Sequence, residues 1–305
     1  MNWTKLGQII QPNPKYFWME SYAGPSFVRS MPDGMLWIYI TGRDRLNQSR
    51  VGLVKATLLK DVFTVVEIVA KPVFDLGELG CFDESGVSYP WLVEFNNQIY
   101  MYYVGWMAGG KNRFLVFTGL AVSNDDGLSF ERVQKVPILE RTIPEPYGSG
   151  SCAVFKNDRN WMMYYTAYEG WEEFEGKNKP WYNIRLATSD DGINWVRNQQ
   201  IIIDFDKPGE HVIGKPQMLY EEGIYKLWYS YRGESYRIGY AESTDGIHYI
   251  RKDNEVGIDV SSEGWDSEMI EYSFVFDHMG SRYMIYNGNS FGLTGIGLAK
   301  LTGTL

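Results

Sequence analysis

Carboxylates recur at one kind of position along the chain. Each stands about five or six residues before a short segment of strand-like sequence that begins with Pro or a small residue. These acids are Glu20, Glu84, Glu145, Glu210 and Glu268, with Asp83 and Asp266 beside two of them. A ring of acids at one mouth of a channel could perform general acid–base chemistry on a glycosidic bond, because crowded acids separate each other's pKa values. The alternative is that they are solvated loop acids or caps at strand starts.

Glu271 differs from the residues at equivalent positions in four other segments of the chain, which share a repeated strand pattern described below. The equivalent positions carry small residues, namely Ala23, Ser88, Ser149 and Gly214. A carboxylate among small neighbours leaves space for a ligand, so Glu271 is the predicted general acid. Asp83 or Glu84 is the predicted base or nucleophile, and Glu268 is a further catalytic candidate. The alternative for Glu271 is a buried acid that is paired with an arginine.

Basic residues fall near the same predicted channel. Arg43 follows a strand-like segment in TGRD, and Arg232 has a similar place in YSYRG. Lys215 precedes a strand-start proline, and His211 lies four residues earlier. Together they could hold a phosphate or carboxylate of a substrate, because the guanidinium fork matches such groups. The alternative, which Asp44 favours next to Arg43, is that each arginine neutralises a channel acid.

Aromatic side chains on the expected loops could stack on sugar rings. Trp106 and Trp265 are the two indoles predicted to do so, whereas tryptophans within strands are expected to be core residues. The predicted substrate-contacting set is completed by acids of the ring and by Asp44. These acids are Glu20, Glu210 and Asp266.

The elements that must position these residues repeat along the chain. Five segments share an aromatic, β-branched strand pattern, and they are MLWIYITG, IYMYYVGW, WMMYYTAY, YKLWYSYR and RYMIYNGN. When they are aligned on Thr41, Val104, Thr166, Ser230 and Asn287, the pattern returns roughly every 60 residues. Each is preceded by a second short strand, and helical periodicity is missing. The pattern predicts an all-β, five-bladed β-propeller, whose central channel is walled by the innermost strands.

Three of the repeats end in an Asp-Gly turn followed by an aromatic residue and an arginine. They are SNDDGLSFER, TSDDGINWVR and STDGIHYIRK. Glycine accepts the positive φ of a tight turn and aspartate caps it, so we expect structural turns. The whole chain is predicted to be one domain, closed by its N-terminal segment. The blades are expected at about 16–70, 83–135, 145–200, 210–255 and 266–305.

Composition excludes several classes of function. With a net charge of −9 over 305 residues, a nucleic-acid groove is not expected. Two cysteines and three histidines are too few for a disulfide framework or a histidine-built metal centre. Neither a signal peptide nor an apolar run long enough to span a membrane is evident, so a cytoplasmic protein is expected.

The repeated motifs also resemble a known superfamily. The strands GPSFV, YPWLV and KPQML, the YMYYVG-type strands and the ending AESTDGIHYIR cover almost the whole chain. This pattern resembles the five-bladed propeller superfamily of glycoside hydrolase families 32, 43, 68, 117 and 130. The segments FDESGV, YSYRGESYRIGYAES, GWDSEMIEY and YNGNSFGLTGIGLA look like glycosidase-like proteins of bacterial surface-polysaccharide gene sets.

The resemblance implies a carbohydrate-active enzyme that cleaves or transfers a glycosyl group in intracellular glycan or surface-polysaccharide metabolism. The implied partner is a sugar, a glycan or an activated sugar. The families' aspartates before the strand-start proline are replaced here by Gly24 and Tyr89, and Glu271 matches the family acid in a different blade. No cofactor is required, although Ca²⁺ could bind the acid ring. Two alternatives stay open: an inert propeller that binds a sugar or nucleotide sugar, and a phosphate-dependent glycoside phosphorylase.

Overall fold

The chain is built almost entirely of strands. The computed structural model describes residues 1–157, 160–174 and 176–303. In chain order the strands are β1 (Trp3–Ile10), β2 (Tyr22–Ser30), β3 (Met35–Arg43), β4 (Ser49–Leu59), β5 (Val62–Ile68), β6 (Gly86–Phe95), β7 (Gln98–Ala108), β8 (Phe114–Ser123), β9 (Glu131–Arg132), β10 (Ser149–Lys156), β11 (Trp161–Phe174), β12 (Lys177–Ser189), β13 (Val196–Ile203), β14 (Val212–Glu221), β15 (Ile224–Arg232), β16 (Tyr236–Ser243), β17 (Ile250–Arg251), β18 (Glu271–His278), β19 (Ser281–Asn287) and β20 (Ile296–Leu301). Short 3₁₀ helices lie at Phe17–Met19, Asp253–Glu255 and Asn289–Gly292.

Strand pairing divides these strands into consecutive antiparallel groups of four. β2–β5, β6–β9, β10–β13 and β14–β17 each form a meander, and β18–β20 are completed by β1. The first strands of the groups contact one another in a closed circuit, from β2 through β6, β10, β14 and β18 back to β2. This arrangement confirms the all-β propeller that the repeats predict, and the fifth group unites both ends of the described chain.

Two details concern the predicted blade limits. β13 runs past the expected end of the third blade at residue 200 and finishes at Ile203. Residues 158, 159, 175, 304 and 305, which belong to the predicted third and fifth blades, lie outside the described residues. Within the described ranges, no helix is long and apolar enough to cross a membrane.

The aromatic second strands form the core between blades. Their tyrosines and tryptophans are among the largest fully buried side chains, including Tyr39, Tyr102, Tyr164 and Trp228. Since side chains alternate across a strand, each second strand presents bulky residues to both neighbouring sheets. These rings stabilise the propeller by removing apolar surface from water.

The Asp-Gly turns also hold blades together. In one of them Ser189 Oγ donates to Asp191 and accepts the amide of Gly192, which has a φ of +76°. The carbonyl of Gly192 then accepts the Tyr102 hydroxyl of the preceding blade at 2.8 Å. Tyr164 makes the same bond to Gly246 in the next blade at 2.9 Å. The Asp-Gly turns therefore have the structural role that the sequence predicted.

Candidate active site

A cavity of about 780 Å³ opens where the first strands of the blades begin. Its lining combines aromatic rings with cationic side chains, and no Asp or Glu is among its lining residues in the described chain. The basic residues of the lining are Arg43, Arg113, Lys177, Lys179, His211, Lys215 and Arg232. A positively charged cavity in a protein of net charge −9 favours an anionic ligand.

A β-bulge interrupts the first strand of every blade at the cavity. In three blades the bulged residue has a left-handed backbone although it is not glycine: φ is +53° at Tyr89, +50° at Lys215 and +55° at Tyr272. Such a conformation costs about 1–3 kcal/mol per residue and persists only where the surroundings enforce it. All three side chains line the cavity.

Hydroxyl groups of the preceding blade hold these bulges in place. The Tyr89 amide donates to Thr41 Oγ1 at 3.0 Å, and the Tyr272 amide donates to Ser230 Oγ at 2.8 Å. The Lys215 amide donates to Ser151 Oγ at 3.1 Å. Thr41 and Ser230 are two of the residues on which the repeats align, so the repeated pattern has a physical cause in this inter-blade bond.

Tyrosines form the floor and inner wall of the cavity. The hydroxyls of Tyr182 and Tyr236 are 2.8 Å apart, and the ring centroids of Tyr89 and Tyr272 are 5.3 Å apart. Burial raises the pKa of Tyr182 to about 12, and it raises the pKa of Tyr236 further. These tyrosines therefore stay neutral at physiological pH, and their hydroxyls can donate hydrogen bonds to a ligand.

Glu271 lies directly beneath this tyrosine wall. It is the first residue of β18, it is fully buried, and both carboxyl oxygens lack a hydrogen-bond partner among the described residues. Burial raises the pKa of Glu271 well above its ordinary value, and the nearby Arg232 guanidinium and Phe291 amide oppose this only in part. The geometry combines a neutral carboxylic acid with an adjacent cavity-lining residue, Tyr272.

Lys215 is a second buried ionisable group. It is 6% exposed, and its Nζ donates to the carbonyl of Ser273 at 3.1 Å. Burial lowers the pKa of Lys215 to about 7, because no carboxylate of the described chain pairs with it. An anion in the cavity would supply the missing countercharge and favour the protonated amine.

Arg43 and Arg232 both line the cavity, and neither forms an ion pair within 4 Å among the described residues. Arg43 donates to Asn47 Oδ1 at 2.8 Å and lies 4.7 Å from the centroid of the Tyr22 ring. Arg232 lies 5.4 Å from the Tyr236 ring centroid. The Nε atoms of both arginines are buried without a hydrogen-bond partner in the described structure. The two guanidinium groups can thus bind an incoming anion.

Asp44 does not neutralise Arg43, although it is adjacent in sequence. Its carboxylate binds Arg50 at 2.7 Å and accepts the backbone amides of Leu46 and Gln48. Because this carboxylate is already bonded, the alternative that Arg43 serves to pair with Asp44 does not fit the structure. Asp44 itself lies off the cavity lining.

His211 reaches the cavity beside Arg232. Its Nδ1 is 3.2 Å from the carbonyl of Gly209, and its ring packs edge-on against Trp181. Burial lowers the pKa of His211, so the imidazole is mainly neutral at pH 7. The structure therefore brings Arg43, His211, Lys215 and Arg232 to one cavity.

The acids of the predicted ring do not lie at the mouth of the cavity, where the sequence predicted them. Asp83 is fully buried, accepts the Tyr103 hydroxyl at 2.9 Å and pairs with Arg132 at 2.7 Å. The equivalent pairs join Glu145 to Arg197 at 2.8 Å and Glu210 to Arg251 at 2.8 Å. These arginines are the ones that end the Asp-Gly repeats. The acids therefore bridge strands of their own blades, which differs from the mouth-facing position expected for Asp83 and Glu210.

The other predicted acids also lie off the cavity lining. Asp266 pairs with Lys5 of β1 at 2.7 Å, and Glu84 accepts the amide of Gly80 at 2.6 Å. Glu20 is half-buried at the end of a 3₁₀ helix, and Glu268 is exposed. Neither Glu20 nor Glu268 forms an ion pair in the described ranges.

The two tryptophans that were predicted to stack on sugar rings lie in different parts of the structure. Trp106 lines the cavity and donates from Nε1 to Ser49 Oγ at 2.7 Å. Trp265 instead stacks on Tyr286, with ring centroids 5.4 Å apart, and packs within the fifth blade. Only Trp106 of this pair can contact a ligand in the cavity.

A cluster of carboxylates outside the cavity already has cationic partners. Asp206, Glu210 and Asp253 lie close enough to share a metal ion. However, Arg251 binds all three at 2.7–2.9 Å, and Lys207 binds Asp253 at 2.6 Å. The chain's own cations thus pair with all three carboxylates of this cluster.

Several lining residues were not predicted from the sequence. The wall tyrosines Tyr22, Tyr182, Tyr236 and Tyr272 looked like ordinary strand aromatics. Basic residues also come from two hairpins, β7–β8 and β11–β12, which are bridged where Asn178 Nδ2 donates to the Lys111 carbonyl at 2.7 Å. The β11–β12 hairpin, whose strands have 14 and 13 residues, was not singled out by the repeat pattern.

Comparisons with known proteins place the chain in a family. No protein-family model matches it. It is 34% identical over 301 residues to the uncharacterized protein Rv1502 of Mycobacterium tuberculosis strain H37Rv, covering 99% of both chains. Over 97 residues, 31% of this chain and 28% of the other, it is also 34% identical to a β-1,2-mannobiose phosphorylase of a Thermoanaerobacter species.

Solved structures share the fold at low sequence identity. A glycoside hydrolase superposes with a TM-score of 0.78 and 17% identity, covering 98% of this chain and 92% of the other. A structure described with the GH130 family of mannoside phosphorylases, and with glycoside hydrolases that target β-1,2-mannosidic linkages, gives a TM-score of 0.72 and 15% identity over 98% and 91%. The chain therefore belongs to the same family as mycobacterial Rv1502, and it shares its fold with solved glycoside hydrolase structures.

Proposed function

We propose that the protein is a carbohydrate-active enzyme that cleaves a glycosidic bond by phosphorolysis. One observation carries the proposal: among the described residues, basic side chains and no carboxylate line the cavity, while the buried acid Glu271 lies directly behind its wall. A glycosidase with two carboxylates needs a second acid within about 5–10 Å as base or nucleophile. The cations favour inorganic phosphate in that position instead.

The neighbours give this proposal further support. The partial sequence match is to a phosphorylase, and one structural neighbour is described with mannoside phosphorylases. Those activities belong to the other proteins. They nevertheless favour phosphorolysis. A separate argument counts against the two-carboxylate hydrolysis expected from Glu271 with Asp83 or Glu84: Asp83 is bound to Arg132 inside its blade.

In the proposed reaction, hydrogen phosphate bound by Arg232, Lys215 and His211 attacks the anomeric carbon of the sugar. The bond from that carbon to the glycosidic oxygen breaks, and Glu271 gives its proton to the departing oxygen. The remaining proton of the new phosphate ester then returns to the Glu271 carboxylate. The products are a sugar phosphate and a free alcohol, and every charge and proton is accounted for.

The residues around Glu271 suit it to this task. Burial raises the pKa of its carboxyl well above the ordinary value, which favours the protonated state that a general acid requires. The neutral hydroxyls of Tyr182 and Tyr236 can orient sugar hydroxyls, and the rings can pack against the sugar face. Deprotonation of Glu271 should therefore cause the rate to fall on the alkaline side.

The direct test is incubation with a panel of disaccharides with and without inorganic phosphate, with ³¹P NMR detection of sugar phosphate. We expect phosphate-dependent product, and Glu271→Gln should slow it by at least about 100-fold, since general acids contribute about 10²–10⁴. The exposed Glu263→Gln is the matched control and should keep full activity. Turnover at the same rate without phosphate would instead identify a hydrolase.

One observation favours a second function, that of a sugar or nucleotide-sugar binding propeller without catalysis. Glu271 has no exposed surface, so a substrate oxygen could reach it only if the wall tyrosines moved. This candidate predicts saturable binding of a sugar or nucleotide sugar and no product after long incubation. Calorimetry followed by product analysis of the same sample separates it from the enzyme.

A further inference from the structure

Seven basic residues of the described chain line the cavity. Three come from the β7–β8 and β11–β12 hairpins (Arg113, Lys177 and Lys179), and the other four form two separate groups. One group is on the fourth blade, where Arg232 ends β15 and Lys215 and His211 flank the start of β14. The other is Arg43 at the end of β3, in the first blade. We call these the fourth-blade group and the first-blade group.

The fifth blade lies between them and carries Glu271. Its first strand, β18, contacts β2 of the first blade on one side and β14 and β15 of the fourth blade on the other. The electrostatic neighbours agree with this order. The charge of Arg43 lowers the pKa values of Tyr22 and Tyr89, whereas the charge of Arg232 lowers those of Tyr182 and of Glu271 itself. The acid therefore stands between two sources of positive charge.

A single phosphate serves only one of these groups. If it binds the fourth-blade group, Arg43 still faces the cavity with a buried Nε that has no hydrogen-bond partner in the described structure. A partly buried guanidinium is stabilised chiefly by an anion, and Asp44 is already bonded to Arg50. A bound sugar that carried an acidic group could supply an anion on this side.

We propose that the sugar itself carries an anionic group, a carboxylate or a phosphate, which Arg43 binds on the side of the cavity opposite to the attacking phosphate. This rests on the proposed function, because it assigns the fourth-blade group to inorganic phosphate. It narrows the substrate class to acidic sugars, such as uronic acids or sugar phosphates. Asn47 holds the Arg43 guanidinium through Nη1 and leaves its other nitrogens for the ligand.

Calorimetry with inorganic phosphate alone tests the two binding positions, because phosphate can fill both. We expect two binding events per chain. Arg43→Met should weaken one by about tenfold or more, as loss of a charge-assisted bond predicts, and Arg232→Met should weaken the other. The exposed Arg45→Met, two residues from Arg43, is the matched control and should change neither.

A second titration, without added phosphate so that the Arg43 position is empty, distinguishes the chemistry of the sugar. Glucuronate, galacturonate and mannuronate represent carboxylates, glucose 6-phosphate and mannose 6-phosphate represent phosphates, and glucose is the neutral reference. At least one acidic sugar should bind more tightly than glucose, and Arg43→Met should abolish that preference.

The outcomes separate this inference from the proposed function. A single phosphate event that Arg43→Met leaves unchanged, with no preference for acidic sugars, overturns the inference and leaves phosphorolysis intact. A preference for acidic sugars that is lost in Arg232→Met and kept in Arg43→Met also overturns it, because the acidic group would then occupy the fourth-blade position. Failure of phosphate to bind at all overturns the proposed function.

Discussion

At the scale of single residues, the protein places two ionisable groups of opposite type at its cavity, and burial favours the neutral form of each. Burial raises the pKa of Glu271 and lowers that of Lys215 to about 7. Neither is paired with a charged partner in the described chain, so each can respond to a ligand. A bound anion would favour protonated Lys215, and a departing sugar oxygen would accept the Glu271 proton.

Lys215 should make stability depend on pH in a defined direction. Its pKa is about 7 in the folded state and 10.5 when exposed, so the unfolded chain binds more protons between these values. The free energy of unfolding of the wild type should therefore rise relative to that of Lys215→Met as pH rises from 7 towards 10. Below pH 7 the buried amine is protonated, and its burial should lower the stability of the wild type by the full amount. Urea unfolding of both proteins at pH 6.5 and 9.5 measures this.

The control for that comparison is Lys71→Met, at an exposed position without a polar contact in the described structure. The stability difference between the wild type and Lys71→Met should be the same at both pH values. An equally constant difference for Lys215→Met would mean that the amine keeps its ordinary pKa and is hydrated.

At the scale of elements, the sequence predicted the strands better than the loops between them. The alternation of bulky residues and the Asp-Gly turns depend on local chemistry, so the repeat predicted the propeller correctly. The direction of the loop before each first strand depends on a partner far along the chain. Asp83 turns into its blade because Arg132, 49 residues later, binds it there, and spacing alone could not show that.

The cavity residues were predicted unevenly for a related reason. Arg43, His211, Lys215 and Arg232 were predicted because their places in the repeats put them near the expected channel, where basic side chains could hold a phosphate or carboxylate. The left-handed bulges at Tyr89 and Tyr272 had no sequence signal, since glycine is the usual mark of a positive φ. Their conformation is imposed by Thr41 and Ser230 of the neighbouring blades.

The repeated acid–arginine pair should contribute to stability rather than to turnover. Arg132→Met leaves the fully buried Asp83 without its cation, which typically costs about 3–5 kcal/mol. We expect a clear loss of stability in urea unfolding, and the double variant with Asp83→Asn should recover part of it. Arg45→Met again serves as the surface control.

The same variants test whether Asp83 has a catalytic part. If Asp83→Asn abolished turnover while the protein kept its stability and its phosphate binding, Asp83 would be a catalytic residue despite its position. Unchanged turnover in the fraction that stays folded would agree with a structural ion pair.

At the scale of the whole molecule, the ring of blades makes distant parts of the chain depend on each other. Each first strand contacts the first strands on both sides, so the circuit of blades has no terminal member. The fifth blade closes only when β1 pairs with β20. The cavity draws on all blades, and its binding function therefore depends on this closure.

Truncation of Trp3 in β1 should consequently weaken the entire propeller. Trp3 is 6% exposed and packs in the core of the fifth blade, and removal of a buried tryptophan costs about 3–5 kcal/mol. If closure is cooperative, Trp3→Ala should accelerate amide hydrogen exchange in the core strands of every blade by a similar factor. Trp161→Ala, a buried truncation in the third blade, should give the same uniform pattern. Acceleration confined to β1, β19 and β20 would show instead that the fifth blade opens alone, because then the remaining blades would keep their contacts without the closing strand.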